Sequence, residues 1–309
     1  MDPSEKLLSI VLPAHNEQDN ILPMAKRLAE LLGPAGIRYE VLFVSDGSTD
    51  QTWQRIRDAR AQDPAVRGVR LSRSFGKEAA IFAGLSAANG DCCAVLDADF
   101  QHPPETILDM WQLWCNGAEI VEGVKRQRGE ESHLHGAAAK VFYRLLSRAA
   151  GTDLQRSSDF KLLDRKAVLV LRNLPERDTF FRALSAWVGF TTATVEYDVQ
   201  PRAAGQSNWT TPQLIAYALS DLASFTTAPL RLVYVLGVVM LLLTLVLGAE
   251  AFVRWLVGGA LEGFTTVILL ELLIGSLMMI SLGIIGYYLS KIYDEVKHRP
   301  RYVIAETVG

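Results

Sequence analysis

Two long uncharged apolar segments constrain the fold of this chain more than any other feature. They span residues 232–249 and 272–290. At a rise of ~1.5 Å per residue, each segment can cross a hydrocarbon core ~30 Å thick as a single helix. Buried core helices are the alternative, but two such segments in tandem favour membrane spans. We therefore predict transmembrane helices over 229–253 and 264–290, joined by an outer loop over 254–263.

Charged residues beside these segments predict their orientation in a lipid bilayer. Arg231 precedes the first segment, and four basic residues follow the second: Lys291, Lys297, Arg299 and Arg301. Basic residues favour the cytoplasmic side of a membrane. We therefore expect both chain ends to lie in the cytoplasm, with 291–309 as a basic cytoplasmic tail.

A further membrane-related segment, 211–228, precedes the first apolar run. Its apolar residues recur at helical spacing. This pattern is typical of an amphipathic helix that lies along a membrane surface. Packing of the same helix against a soluble domain is the alternative.

Residues 1–210 alternate between strand-like and helix-like segments. Four apolar stretches indicate buried strands: "LLSIVLPAH", "YEVLFVSD", "VRGVRLS" and "DCCAVLDAD". Their alternation with helical periodicity predicts an α/β domain with a mostly parallel sheet and helices on both faces. Ligands of such sheets bind outside the carboxyl ends of the strands. The segment from Pro13 to Glu17, Asp46, and the pair Asp97 and Asp99 should therefore meet at one edge.

The stretch "AVLDADFQHPPE" places the carboxylates of Asp97 and Asp99 after the fourth strand. Because side chains alternate along a strand, both should point to the same side. A crevice lined with carboxylates needs a divalent cation to hold a phosphate, and hard oxygen ligands suit Mg²⁺ or Mn²⁺. A loop entry in which Asp99 starts a turn is the alternative.

The net charge, the cysteines and the histidines limit the functional classes to which this chain can belong. A net charge of −3 over 309 residues gives no indication of nucleic-acid binding. The three cysteines form no CxxC pair and indicate small buried hydrophobes. The five histidines show no zinc spacing with these cysteines, so no zinc site is expected.

Seven motifs together carry a resemblance to a known family. In chain order they are "VLPAHNE", "VSDGSTD", "SFGKEAAIFAGL", "DADFQHP", "SSDFKLLDR", "PRAAGQS" and "SFTTAPLRL". The chain resembles the family 2 glycosyltransferases of GT-A fold, and more narrowly the polyisoprenyl-phosphate glycosyltransferases. That group includes bactoprenol glucosyltransferases and dolichol-phosphate mannose synthases. The resemblance covers nearly the whole chain and implies a Rossmann-like GT-A domain, an amphipathic interfacial helix and two transmembrane helices.

The same resemblance implies a role for individual residues. The nucleotide-sugar set is Pro13, Ala14, Asn16, Glu17, Asp46, Lys77 and Asp97. Asp99 and Gln101 match the metal ligands, and Asp159 matches the catalytic base. The acceptor-phosphate set is Arg126, Arg128, Ser132, Arg202 and Ser207. Two positions depart from the family pattern: Ser158 stands where glycine is usual, and Asn208 stands where lysine is common.

The implied reaction moves a sugar to a polyisoprenyl phosphate at the cytoplasmic face of a bacterial inner membrane. We expect transfer of glucose from UDP-glucose to undecaprenyl phosphate, with GDP-mannose or a UDP-aminosugar as the alternative donors. The product would then need a flippase and a downstream glycosyltransferase. The Gly and Ser residues of the second span are compatible with close packing in a homo-oligomer.

The ionisation state of the acceptor phosphate limits what Asp159 can do in this reaction. The second pKa of a phosphate monoester is ~6, so the acceptor is already mostly ionised at neutral pH. We therefore expect Asp159 to orient the acceptor, or to stabilise positive charge on the sugar, more than to remove a proton. Asp159 is the one carboxylate that the sequence places outside the donor and metal sets, which favours a single inverting displacement.

Two functions of other classes remain open at this point. A phosphohydrolase could use Asp97 as a nucleophile, although that chemistry usually places its D-x-D motif on the first strand. A non-catalytic membrane subunit could bind a nucleotide sugar without turnover, but the presence of Asp99, Gln101 and Asp159 together argues against it.

Overall fold

The computed structural model contains two compact units. The described residues are 5–126, 158–176, 180–198, 228–257 and 264–309. The first unit is Met1–Ala216 together with Pro300–Gly309, and the second is Tyr217–Arg299. The predicted amphipathic segment lies outside the described residues, except for residue 228.

In the described part of the chain, the first unit contains one β-sheet of eight strands. The strands are β1 (Leu7–Ala14), β2 (Arg38–Ser45), β3 (Val66–Leu71), β4 (Cys92–Val95), β5 (Ile120–Lys125), β6 (Lys161–Asp164), β7 (Thr192–Tyr197) and β8 (Ile304–Val308). Their order is β7-β5-β6-β4-β1-β2-β3-β8. Strands β6 and β8 run antiparallel to their neighbours, and the other pairs are parallel. The predicted mostly parallel sheet is therefore confirmed.

Helices cover this sheet. They are α1 (Ile21–Leu32), α2 (Thr52–Gln62), α3 (Lys77–Ala87), α4 (Thr106–Cys115), α5 (Arg165–Asn173) and α6 (Phe181–Trp187). Helix α3 is buried along most of its length because it is rich in alanine. A Cβ atom on Gly84 would lie 2.2 Å from Cγ1 of Val11, so α3 packs closely on β1. This close approach brings Lys77, the first residue of α3, to the carboxyl edge of the sheet.

The D-x-D segment differs from the sequence prediction in one respect. Strand β4 ends at Val95, so Asp97 and Asp99 lie in the turn beyond it. Phe100, the residue after Asp99, has a φ of 63°, which lies in the left-handed region. The direction of the two carboxylates is consequently set by this turn and not by strand alternation.

The second unit contains two long apolar helices, α7 (Ala228–Leu256) and α8 (Phe264–Val296). They include the predicted spans 229–253 and 264–290, and α7 continues into the segment predicted as an outer loop. Their stretches Leu230–Glu250 and Leu270–Val296 are long and apolar enough to cross a membrane. None of either stretch is buried within the protein, which is unlike the core helices of a soluble domain.

The C-terminal segment differs from the simple tail predicted for 291–309. Strand β8 pairs antiparallel with β3 and forms the last strand at that end of the sheet. The indole Nε1 of Trp53 donates to Oε2 of Glu306 over 2.9 Å. A Cβ on Gly68 would lie 2.9 Å from Cγ1 of Val308, so the two strands fit closely only because residue 68 is glycine. The end of the chain therefore belongs to the α/β unit.

Candidate active site

The carboxyl ends of β1 and β2 are joined by side-chain hydrogen bonds to the backbone. Asn16 Oδ1 accepts from the backbone N–H of Thr49 over 2.9 Å, and Thr52 Oγ1 accepts from the N–H of Glu17 over 2.9 Å. Pro13 and Ala14 are buried at the end of β1, whereas Asn16 is exposed at the edge with φ of 58°. The predicted donor-binding segment is thus held rigidly against the loop after β2.

Asp46 anchors the loop that leads into α3. Its carboxylate accepts from Ser74 Oγ over 2.8 Å, from the N–H of Phe75 over 2.7 Å and from the N–H of Gly76 over 3.0 Å. The side chain is buried, so these hydrogen bonds offset its desolvation. Asp46 therefore fixes the backbone directly before Lys77. The contact with a nucleobase that the resemblance implies for Asp46 stays a prediction.

Lys77 links two predicted site residues that are distant in sequence. Its Nζ lies 2.7 Å from Asp97 Oδ1 and 2.9 Å from Asp159 Oδ2. Burial lowers the pKa of Lys77, but the charges of Asp159 and Asp97 outweigh burial and raise it overall. The lysine is therefore a permanent cation between two carboxylates.

Asp159 also contacts a second cation, Arg182 at the start of α6. Arg182 Nε lies 3.3 Å from Asp159 Oδ1. Burial raises the pKa of Asp159, but Lys77 and Arg182 more than offset this effect, so the pKa lies well below its usual range. A carboxylate stabilised in this way stays ionised and is a weak proton acceptor near neutral pH.

A second carboxyl group, Glu78, lies in the same cluster. Burial and the charge of Asp159 raise the pKa of Glu78 to about 8. Its Oε2 accepts from the backbone N–H of Phe181 over 2.7 Å, which fixes the start of α6 next to Arg182. The environments of Glu78 and Asp159 thus shift their pKa values in opposite directions, a pattern typical of enzyme sites.

An aromatic cluster connects Asp97 to Asp159. The imidazole of His102 stacks on Phe160 with ring centroids 5.1 Å apart, and Tyr197 packs edge-on against both rings. His102 Nδ1 accepts from the backbone N–H of Asp97 over 3.3 Å, so the ring is neutral and carries its proton on Nε2. Burial lowers the pKa of His102 despite the neighbouring Asp97. Phe160, next to Asp159, is therefore packed against the D-x-D turn.

Comparison with known proteins identifies the family. Residues 9–169 match the family described as glycosyl transferase family 2. Among curated relatives, an uncharacterized glycosyltransferase (sll0501) of Synechocystis sp. is 37% identical over 98% of this chain and 96% of its own length. The bactoprenol glucosyl transferase of Shigella phage SfV is 33% identical over 96% of this chain and 97% of its own length. The chain belongs to glycosyltransferase family 2.

The fold has a counterpart among solved structures. Glucosyl-3-phosphoglycerate synthase from Mycobacterium tuberculosis, in complex with Mn²⁺, UDP and glucosyl-3-phosphoglycerate, aligns with a TM-score of 0.54. The alignment covers 72% of this glycosyltransferase and 80% of the synthase, at 21% identity. At this identity the likeness supports the fold alone. The predicted GT-A fold and the prediction of an enzyme of this family are both confirmed.

The D-x-D turn of this glycosyltransferase offers hard oxygen ligands. Asp99 is buried at 7% exposure, and its Oδ1 accepts from the backbone N–H of Gln101 over 3.0 Å. Within the described residues, no three His, Cys, Asp or Glu side chains form a complete metal site. A carboxylate and an amide oxygen are ligand types that suit Mg²⁺ or Mn²⁺, so Asp99 and Gln101 fit the predicted metal site in their chemistry.

Of the predicted acceptor-phosphate residues, Arg126 is the one that lies within the described part of the chain. It follows β5, and its guanidinium lies 3.0 Å from Asp198 Oδ2 and 3.6 Å from Glu196 Oε2. Both carboxylates are exposed, so each pair contributes little to stability. Arg128, Ser132, Arg202 and Ser207 lie outside the described residues.

Several site residues could not be identified from the sequence. Arg182 lies outside the quoted motifs, and Glu78 lies inside "SFGKEAAIFAGL" without a role implied by the resemblance. Both reach Asp159 only through the packing of α3 and α6. His102 and Ser158 lie inside recognised motifs, but their contacts depend on β5 and β7. Glu78 also corrects the expectation that Asp159 is the one carboxyl group outside the donor and metal sets.

Proposed function

We propose that this protein transfers the sugar of a nucleoside-diphosphate sugar to a polyisoprenyl phosphate, with inversion at the anomeric carbon. The preferred donor is UDP-glucose and the preferred acceptor is undecaprenyl phosphate. One structural observation carries the proposal: Lys77 holds Asp97, from the donor-binding turn, and Asp159, from the next motif, within 3 Å of one ammonium group. The full-length similarity to bactoprenol glucosyl transferases supports the choice of a lipid acceptor.

The donor would bind at the carboxyl edge of the sheet. Asn16 and the loop fixed by Asp46 form one side of this edge, and Lys77 provides a cation for the diphosphate. Asp99 and Gln101 would hold a divalent ion that, when bound, supplies positive charge to the diphosphate leaving group.

The chemical step follows from the ionisation states. An oxygen of the acceptor phosphate attacks the anomeric carbon, and the bond between that carbon and the diphosphate oxygen breaks. The nucleoside diphosphate leaves with the bonding electron pair. The acceptor is already ionised, so Asp159 has no proton to remove; its negative charge stabilises the positive charge that develops on the sugar.

A covalent sugar–enzyme intermediate is disfavoured at this site. Asp159 is held by Lys77 and Arg182, and Glu78, with a pKa of about 8, is mostly protonated near neutral pH. A protonated carboxyl group is a poor nucleophile. A single displacement converts an α-linked nucleotide sugar into a β-linked lipid phosphate.

The proposed location is the cytoplasmic face of the bacterial inner membrane. Both helices α7 and α8 suit membrane spans, and two spans return a chain to the side on which it started. Met1–Ala216 and Pro300–Gly309 belong to the same α/β unit, which supports the expectation that both chain ends lie on one side. The basic residues next to the spans favour the cytoplasm.

The test is a transfer assay in detergent or proteoliposomes with undecaprenyl phosphate and a panel of UDP- and GDP-sugars. We expect a lipid-linked sugar that forms with UDP-glucose, requires Mg²⁺ or Mn²⁺, and has a β anomeric linkage by NMR. Turnover with GDP-mannose or with a UDP-aminosugar, and none with UDP-glucose, would identify that nucleotide sugar as the donor instead. Donor hydrolysis that exceeds transfer would indicate a hydrolase, and tight binding without turnover on any lipid would indicate a non-catalytic subunit.

A further inference from the structure

The hydroxyl group of Ser158 connects both flanks of Asp159. Its Oγ donates to the carbonyl oxygen of Gly123 over 2.6 Å and accepts from the backbone N–H of Phe160 over 3.2 Å. Ser158 is only 4% exposed, so water cannot replace these two hydrogen bonds. The residues directly before and after Asp159 are thus tied to each other and to β5.

The segment that carries Asp159 is not part of the sheet, so its position depends on contacts such as this one. Strand β6 begins at Lys161, so Asp159 lies outside the strand. The backbone N–H of Gly123 donates to the carbonyl oxygen of Phe160 over 2.8 Å, which fixes the residue after Asp159 to β5. Ser158 provides the corresponding connection for the residue before it. Together they define where the Asp159 carboxylate can lie.

Packing on the other side of this segment limits its movement. A Cβ atom on Gly123 would lie 2.9 Å from Cδ1 of Phe160 and 3.1 Å from its carbonyl oxygen. Phe160 in turn stacks on His102, which accepts from the backbone of Asp97. A shift of this segment would therefore disturb the two carboxylates that share Lys77.

We propose that Ser158 is a positioning residue for the glycosyl transfer: its hydroxyl holds the Asp159 carboxylate at the distance from Lys77 and Arg182 that turnover requires. The inference rests on the proposed function, since it assigns a role in that reaction. Ser158 does not touch substrate; it acts through the backbone of Asp159. Its loss should reduce kcat more than it weakens donor binding, because the donor contacts lie on other segments.

The experiment compares Ser158→Ala with Ser9→Ala in the full-length protein. Ser9 is a matched control: it is fully buried in β1, donates to Glu40 Oε1 over 2.5 Å and accepts from the N–H of Gly90 over 2.7 Å. We expect Ser158→Ala to lower kcat about 10-fold to 100-fold with the KM for the nucleotide sugar nearly unchanged. Ser9→Ala should lower the Tm similarly and leave kcat nearly unchanged.

A second readout does not depend on activity. A crystal or cryo-EM structure of Ser158→Ala should show Asp159 displaced from Lys77, where the wild-type distance is 2.9 Å. If Ser158→Ala does not fold, Ser158→Gly places the residue usual in the family at this position, removes the same hydroxyl without adding volume, and should change kcat in the same direction.

The outcomes separate the two proposals. If wild-type protein transfers no sugar to any polyisoprenyl phosphate, the proposed function fails, and the structure of the variant alone decides whether Ser158 positions Asp159. If wild type is active and Ser158→Ala changes kcat no more than Ser9→Ala, the positioning role is wrong. An unmoved Asp159 in the variant would also overturn it.

Discussion

The ammonium group of Lys77 lies 2.9 Å from the carboxylate of Asp159, although 82 residues separate them in the sequence. This ion pair joins the start of α3 to the segment before β6. It also explains why the carboxylate of Asp159 stays ionised despite burial. The following predictions test what this arrangement does.

Replacement of Lys77 should affect both substrate binding and turnover. We expect Lys77→Met to weaken donor binding, because it removes the cation proposed for the diphosphate, and to lower kcat by removing the main partner of Asp159. A combined loss in kcat/KM of about 100-fold or more is consistent with the loss of a cation that contacts two carboxylates at the site. Steady-state kinetics and nucleotide titrations measure the two effects. Lys26→Met, on the exposed face of α1, is the control, and near-normal kinetics of Lys77→Met would contradict the role assigned to Lys77.

Asp159→Asn tests whether this residue orients or deprotonates. We expect turnover to fall by about 10²–10⁴-fold with nucleotide and metal binding preserved. Alkaline pH should not rescue the variant, because the acceptor phosphate is ionised above its second pKa of ~6. A pH–rate profile of the variant measures this, and recovery of turnover at high pH would restore a general-base role.

The low pKa of Asp159 also predicts how the stability of the fold changes with pH. The folded-state pKa lies below the unfolded value, ~3.9 for an aspartate, so the ionised group stabilises the fold above that pH. The contribution is lost as pH falls below ~3.9 toward the folded-state pKa. Acid unfolding curves should show a smaller loss in this window for Asp159→Asn than for wild type. Identical acid profiles would show that Asp159 is not stabilised in its ionised form.

Removal of the predicted metal ligands should abolish divalent-dependent donor binding. We expect Asp99→Ala and Gln101→Ala to bind UDP equally weakly with Mn²⁺ and with excess chelator, as measured by calorimetry. Asp97→Ala should reduce turnover but retain part of the Mn²⁺ dependence. Asp109→Ala, an exposed carboxylate on α4, is the matched control. Turnover of Asp99→Ala near the wild-type rate in chelator would show that the D-x-D turn is purely structural.

The C-terminal strand offers a further test. Glu306→Ala removes the acceptor of the Trp53 indole N–H and should lower the free energy of unfolding of the α/β unit by about 1–2 kcal/mol. Thermal unfolding is the measurement. Glu105→Ala, which breaks the exposed pair with Arg27, should cost less. Equal stability of Glu306→Ala and wild type would show that β8 does not need this contact.

The sequence alone predicted the α/β fold, the two long apolar helices and the glycosyltransferase family. Apolar runs without charges can bury their side chains only in a membrane or a large core, and strand–helix alternation forces a parallel sheet whose carboxyl ends share one edge. The sequence therefore predicts that Asp46, Asp97 and Asp99 lie at one edge of the sheet. These features are local, since each depends on a short stretch of residues.

The tertiary structure decided the contacts that control the chemistry. Arg182 and Glu78 influence Asp159 only because α3 and α6 pack together. The pKa shifts of Glu78 and Asp159 arise from burial and from charges at short range. Asp97 lies beyond the end of β4 and contacts Lys77, and the hydrogen bond from Ser158 depends on the approach of Gly123. The pairing of β8 with β3 joins segments more than 200 residues apart. Distance and desolvation are properties of the packed chain, so residue spacing along the sequence does not encode them.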